Sequence, residues 1–305
     1  MVYTIRGYNR AMTRMRFLAL VLVLGGVGLS AQAYVPNRVF DSSQGQFSDF
    51  ESMMAVVAKA DVVFVGEQHD DPNTHRLEQA ILEGLRRRRG DVILSLEMFE
   101  RDVQSRLDEF RAGQLPEADF LATARPWPRY ATDYKPMVDF AIAHQWPVVA
   151  ANIPRPIASE IGKLGLEVLA SKPDAERAWF ASEWTCPDTD AYFARFKEAM
   201  GSHPSEPELV RFYAAQCLKD ETMAESIVSA WQWARAATPD TRPLVVHYDG
   251  AFHSDFGQGT VARVQRRLPA ARIAVISVIP VVDLDQIHTG EHLKKGDYLL
   301  FTIGK

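Results

Sequence analysis

Asp61-Val-Val-Phe-Val-Gly-Glu-Gln-His-Asp-Asp-Pro-Asn-Thr-His75 divides into two halves of opposite character. Asp61 to Val65 is a short β-branched and apolar run, the pattern of a buried strand, and Gly66 ends it. Glu67, His69, Asp70, Asp71 and His75 then crowd into nine residues on a turn stiffened by Pro72. Asn73 or Thr74 is placed to cap the helix that follows. Carboxylates and imidazoles at the carboxyl end of a strand mark the edge where an open α/β sheet keeps its site.

The same unit recurs along the chain. Val92 to Leu96 reads as a strand running into Glu97, Met98, Phe99 and Glu100; Pro147 to Ala151 ends in Asn152; Pro243 to Val246 runs into His247, Tyr248, Asp249, Gly250 and, soon after, His253. Arg272 to Ile279 and Tyr298 to Ile303 complete the strands. Between them, Phe47–Lys59, Thr74–Arg89, Asp102–Arg111, Tyr134–His144 and Gln258–Arg267 carry helical periodicity. Strands separated by helices imply an α/β fold, a mostly parallel sheet flanked by helices with right-handed crossovers. From Leu164 to Pro239 there are no strand signals, and Glu206 to Ala237 reads as one long helix. The expected organisation is therefore a core of residues 34–163 and 240–305 with a smaller helical insertion or cap at 164–239.

In a parallel sheet the strand ends share one edge, so Glu67, His69, Glu97 and His253 are expected to converge. Two carboxylates with two imidazoles suit a divalent ion, or a general base with an orienting partner. A lone residue of this kind more often caps a helix or anchors a loop; only the four together point to a site. His75 reads as a helix-start residue, and His144, His203, His288 and His292 have no context beyond surface or packing.

Arg6, Arg10, Arg14 and Arg16 precede an apolar run from Phe17 to Leu29, and Ala31-Gln32-Ala33 supplies small residues at cleavage-site spacing. That is a secretory signal at residues 1–33, cut near Ala33. Tyr34, not cysteine, follows, so the product is expected to be no lipoprotein but soluble, in the periplasm or outside the cell. Removing four arginines and no acids leaves 30 basic against 39 acidic side chains, a formal charge of −9, which argues against nucleic acid as a partner. The two cysteines, Cys186 and Cys217, are free to pair in an oxidising compartment, although spacing alone does not decide it.

V-G-E-Q-H-D at 65–70 with His75, S-L-E-M-F-E at 95–100, N-I-P-R at 152–155, A-A-Q-C-L-K-D-E-T-M-A at 214–224 and G-A-F-H at 250–253 resemble, in order, the ChaN family of haem-binding uptake proteins. The wider superfamily includes the Tiki proteases, TraB-like proteins and erythromycin esterases. The resemblance implies haem held in an iron-uptake setting, tyrosine among the ligands, a homodimer around the cofactor and a haem-uptake receptor as partner. Tyr248 and Tyr213, with His247, are the candidate cofactor-binding residues. The hydrolytic branches imply instead catalysis by His69, Glu97 and His253. There a divalent ion (Mn, Zn or Co) would be held by Glu67, His69, Glu97 and His253, acting on an ester, peptide or other small molecule.

Overall fold

The structure is a computed structural model that describes residues 35–202 and 204–304. The signal segment 1–33, its cleavage site near Ala33, Tyr34 and His203 lie outside the described residues. The described chain opens with a short hairpin, β1 (Asn37–Asp41) and β2 (Gln46–Ser48), then α1 (Phe50–Val57) and β3 (Val62–Glu67). Helix α2 (Pro72–Arg86) leads to β4 (Val92–Glu100), and α3 (Gln104–Arg111), α4 (Glu117–Ala124), α5 (Tyr130–Asp133) and α6 (Lys135–Ala143) precede β5 (Val148–Asn152). A helical stretch follows: α7 (Arg155–Leu164), α8 (Asp174–Arg177), α9 (Ala191–Met200) and α10 (Glu206–Ala237). Then come β6 (Leu244–Gly250), α11 (Gly259–Arg267), β7 (Ile273–Val281) and β8 (Tyr298–Ile303).

The eight strands form one sheet in the order β2-β1-β8-β7-β3-β6-β4-β5. From β8 to β5 every pairing is parallel, while β1 and β2 extend the β8 edge antiparallel. The α/β class read from the sequence is the class of the protein. The hairpin was not legible, because β2 is wholly exposed and has no apolar alternation to report. It exists through its pairing with the distant β8.

Strand alternation assigns the two faces. Val63 and Val65 point into a large cluster with Met54, Ile81, Leu85, Met137 and Tyr248. Val62 and Phe64 point the other way, into Ala224, Ile227 and Val228 of α10 and Val261 and Val264 of α11. Both faces are covered, which is why the central strands read as continuous apolar runs.

Residues Val35–Lys305 form one compact unit. The stretch 164–239, read as a separate cap, contributes the second half of α10 to a layer of the sheet itself. Its first half packs on α7 through Ala214, Ala215 and Leu218 and on α9 through Leu209 and Tyr213. A disulfide joins Cys186 to Cys217 across this region.

Candidate functional site

Six parallel strands put their carboxyl ends on one edge, and the chemistry gathers there. Glu67 is the last residue of β3, and His69 lies two residues beyond, its side chain 45% exposed. The His69 Nδ1 lies 2.5 Å from Glu67 Oε1, so the carboxylate fixes the ring and turns Nε2 outward. That nitrogen passes over Gly250: a Cβ there would lie 2.7 Å from His69 Nε2 and 3.7 Å from Glu97 Oε2. Only glycine lets the imidazole and the second carboxylate approach over that backbone. Gly66 serves likewise beneath the turn after β6, where a Cβ would meet Ser254 Oγ at 2.7 Å and Ala251 Cα at 3.0 Å.

Glu97 accepts from the Gly250 N–H at 2.8 Å and faces His253 Nε2 at 3.4 Å. The other nitrogen of His253 lies 2.7 Å from Asp220 Oδ1 on α10, and Asp220 also accepts from Tyr192 and Thr260 hydroxyls. Two imidazole–carboxylate pairs, Glu67–His69 and Glu97–His253, thus sit side by side. Burial opposes charge on each partner, but the pairing outweighs it. Glu67 is held down to about 2 by the neighbouring imidazoles of His69 and His75. Glu97 lies well below the carboxylate range beside His253 and His69. His253 is raised to about 10 by Glu97 and Asp220.

The pairs open on a cavity of about 680 Å³, within the range of small-molecule sites. Phe196, Met200, Phe252 and Phe256 give it apolar wall, and Arg195 and Lys295 stand at its margin. Arg195 lies over the rings of Phe252 and Phe256 and donates to the Phe252 and Asp255 carbonyls. The floor comes from the sheet edge and the opposite wall from α9, so the helical stretch completes the site.

The three cofactor-binding candidates lie elsewhere. His247 is fully buried inside β6, its Nδ1 2.9 Å from Ser95 Oγ and its ring against Phe64. Burial pushes its imidazole down to about 3, so it stays neutral. Tyr248 points to the opposite face and donates to the Glu78 carbonyl at 3.1 Å. Tyr213 is 1% exposed among Tyr192, Phe193 and Phe196. None of the three reaches the cavity; for His247 and Tyr248 the reason is register. β6 lies between β3 and β4 and stays paired through Gly250, which keeps residues 247–249 inside the sheet.

Three partners escaped the sequence reading. His75 does sit in the first turn of α2, but its ring also reaches Glu67 and Glu78. Tyr134 donates to Glu67 Oε1 at 3.0 Å. Asp220 lies mid-helix; its signal was an acidic residue spaced three from the apolar Cys217 and Met223.

A family model described as haem-binding uptake, Tiki superfamily, ChaN matches residues 53–264. No curated protein matches. Among solved structures, the chain is similar to one titled cofacial heme binding to ChaN of Campylobacter jejuni, at 19% identity and a TM-score of 0.66, covering 88% of this chain and 97% of that one. That likeness establishes the fold. An effector domain of a Vibrio vulnificus CMCP6 toxin aligns at 15% identity over 78% of this chain and 37% of that one, with a TM-score of 0.42. An erythromycin esterase in its open conformation aligns at 10% identity over 88% and 83%, with a TM-score of 0.41. Both are too distant to carry argument.

Proposed function

The chain belongs to the haem-binding uptake family ChaN of the Tiki superfamily, and from that premise we propose that its sheet-edge cavity holds haem through His69 Nε2. The observation that carries the residue assignment is exposure. All the tyrosines among the described residues are buried: Tyr130, Tyr134, Tyr192, Tyr213, Tyr248 and Tyr298 are each no more than 6% exposed. Burial also pushes the phenols of Tyr213 and Tyr248 upward, against tyrosinate formation. A half-exposed imidazole whose far nitrogen is anchored on a carboxylate is the donor on offer, and that anchoring orients a metal-binding histidine.

Bound haem would supply a ferric iron able to take a protein nitrogen as ligand. The remaining roles fall to this chain's residues. Phe196, Met200, Phe252 and Phe256 cover an apolar ring face, and Arg195 and Lys295 face its carboxylates. Purified protein titrated with hemin is expected to give a saturable Soret shift. His69→Ala weakens it at least about tenfold, while Tyr213→Phe and Tyr248→Phe leave it unchanged. A shift that survives His69→Ala overturns the assignment.

The same proposal places the chain in iron acquisition in the periplasm or outside the cell, on the support of the signal-like residues 1–33. We read the homodimer as two copies meeting over the open cavities, with sedimentation with and without hemin as the check, and a haem-uptake receptor as the source or recipient.

A second reading has one observation in its favour: His253 is held between Asp220 and Glu97 beside the first imidazole pair. A histidine oriented by buried carboxylates can move protons to and from water, which suits hydrolysis. Turnover of an ester or peptide that is lost in both His253→Gln and Glu97→Gln would bring this reading forward.

A further inference from the structure

Behind His69, away from the cavity, Glu67 takes part in a second cluster that neither reading uses. Its Oε1 serves His69 and Tyr134, while Oε2 turns inward to within 3.1 Å of His75 Nδ1. Glu78 Oε2 lies 3.0 Å from the same nitrogen. The Glu67 and Glu78 side chains are 0% exposed and His75 is 4% exposed. Glu67 Oε2 and Glu78 Oε1 have no hydrogen-bond donor, which is costly for buried carboxylates.

The far side of the ring decides what occupies the gap. His75 Nε2 faces two acceptors, the His69 carbonyl at 3.3 Å and Asp133 Oδ2 at 3.3 Å, and Asp133 is paired with Arg129. Nε2 therefore carries a hydrogen. Nδ1 then faces two carboxylate oxygens, an arrangement that requires either a proton or a metal ion between them. Donor atoms bound at right angles about 2.0–2.2 Å from a divalent ion stand about 3 Å apart, the spacing seen here. A histidine whose outer N–H is held by a carbonyl and a carboxylate is also the arrangement that fixes the tautomer of a metal ligand.

We propose that Glu67, His75 and Glu78 form a buried site for a divalent ion of the zinc, manganese or iron class. One imidazole and two carboxylates favour these ions over calcium, which prefers all-oxygen sites, and over copper(I), which prefers sulfur. The expected quartet of Glu67, His69, Glu97 and His253 is not the set that closes. Among the described residues, the trio does so, with one donor atom of each within 4.8 Å of the others. The site is independent of the haem reading and shares only Glu67 with it.

Purified protein stripped with EDTA, dialysed against excess Zn²⁺ or Mn²⁺ and then against metal-free buffer is expected to retain about one ion per chain. Glu78→Gln and His75→Asn, both away from the cavity, are expected to lower retention about tenfold, matching the loss of one ligand or its orientation. X-ray absorption of zinc-loaded wild-type protein should show one imidazole with oxygen ligands and no sulfur; this measurement stands even where a variant does not fold. Retention below about 0.1 ion per chain for both metals would mean that a proton fills the gap. A zinc spectrum with two or more imidazoles would place the ion at His69 and His253. Either result overturns the site.

Discussion

β3 and β6 are neighbouring central strands that both end in histidine chemistry, yet they use it in opposite ways. β3 leaves the sheet at Glu67, level with Gly250, and His69 falls beyond the last paired residue. β6 stays paired on both sides, with His247 level with Phe64 and Ser95, so its imidazole is fully enclosed. Two similar sequences thus give a half-exposed, carboxylate-anchored ring and a neutral ring bonded to a serine. What separates a binding group from a packing group is its position relative to the last ladder pair, not its chemical type.

The comparison is tested first at His247. His247→Ala should cost about 3 kcal/mol, combining a core cavity with a buried Ser95 hydroxyl left unpaired, and should leave hemin affinity unchanged. Because the folded imidazole is held down to about 3, the unfolded chain binds the proton more readily. Its contribution is intact above about pH 6.5 and is lost as pH falls toward 3. Urea unfolding of wild type and variant from pH 8 to 4 measures both effects. A variant that folds normally but loses hemin would erase the distinction between the strands.

His69→Ala is expected to do the reverse. Hemin affinity falls at least about tenfold, or about 1.4 kcal/mol, while stability changes by less than about 1 kcal/mol because the side chain is nearly half exposed. The two variants together form a crossed pattern that a general loss of folding cannot mimic. Tyr248→Phe is smaller. It removes one buried hydroxyl bond to the Glu78 carbonyl and should cost about 1 kcal/mol with no change in the Soret titration.

The sheet and the strand-end carboxylates were legible because β-branched runs report burial directly. Val62–Val65 and Val92–Leu96 were found as strands, and both continue further, to Glu67 and Glu100. The shortfall has one cause: a polar residue in a strand covered on both faces looks, in sequence, like the strand's end. That cause also moved His247 and Tyr248 from the candidate site into the core. Asp220, Tyr134 and the second role of His75 were hidden for a different reason. Each meets its partner through helix packing, at sequence separations of 33, 67 and 8 residues respectively from His253 or Glu67, where no local spacing rule applies.

The smallest effect tests the β3 side by itself. Burial opposes charge on His69, but its hydrogen bond to Glu67 and the nearby Glu97 outweigh it and raise its pKa. The folded chain therefore holds this proton more tightly than the unfolded one. The stabilisation is fully present below about pH 6.5 and is lost as pH climbs through the raised folded value, the opposite slope to His247. With the ring 45% exposed, solvent screening limits the gain to about 0.5 kcal/mol. The difference in unfolding free energy between wild type and His69→Gln should thus be largest near pH 6 and shrink as pH rises. A difference that grows with pH would mean that Glu67 does not hold a proton on His69 in the free protein. The ring would then already present a neutral nitrogen to the cavity before any ligand arrives.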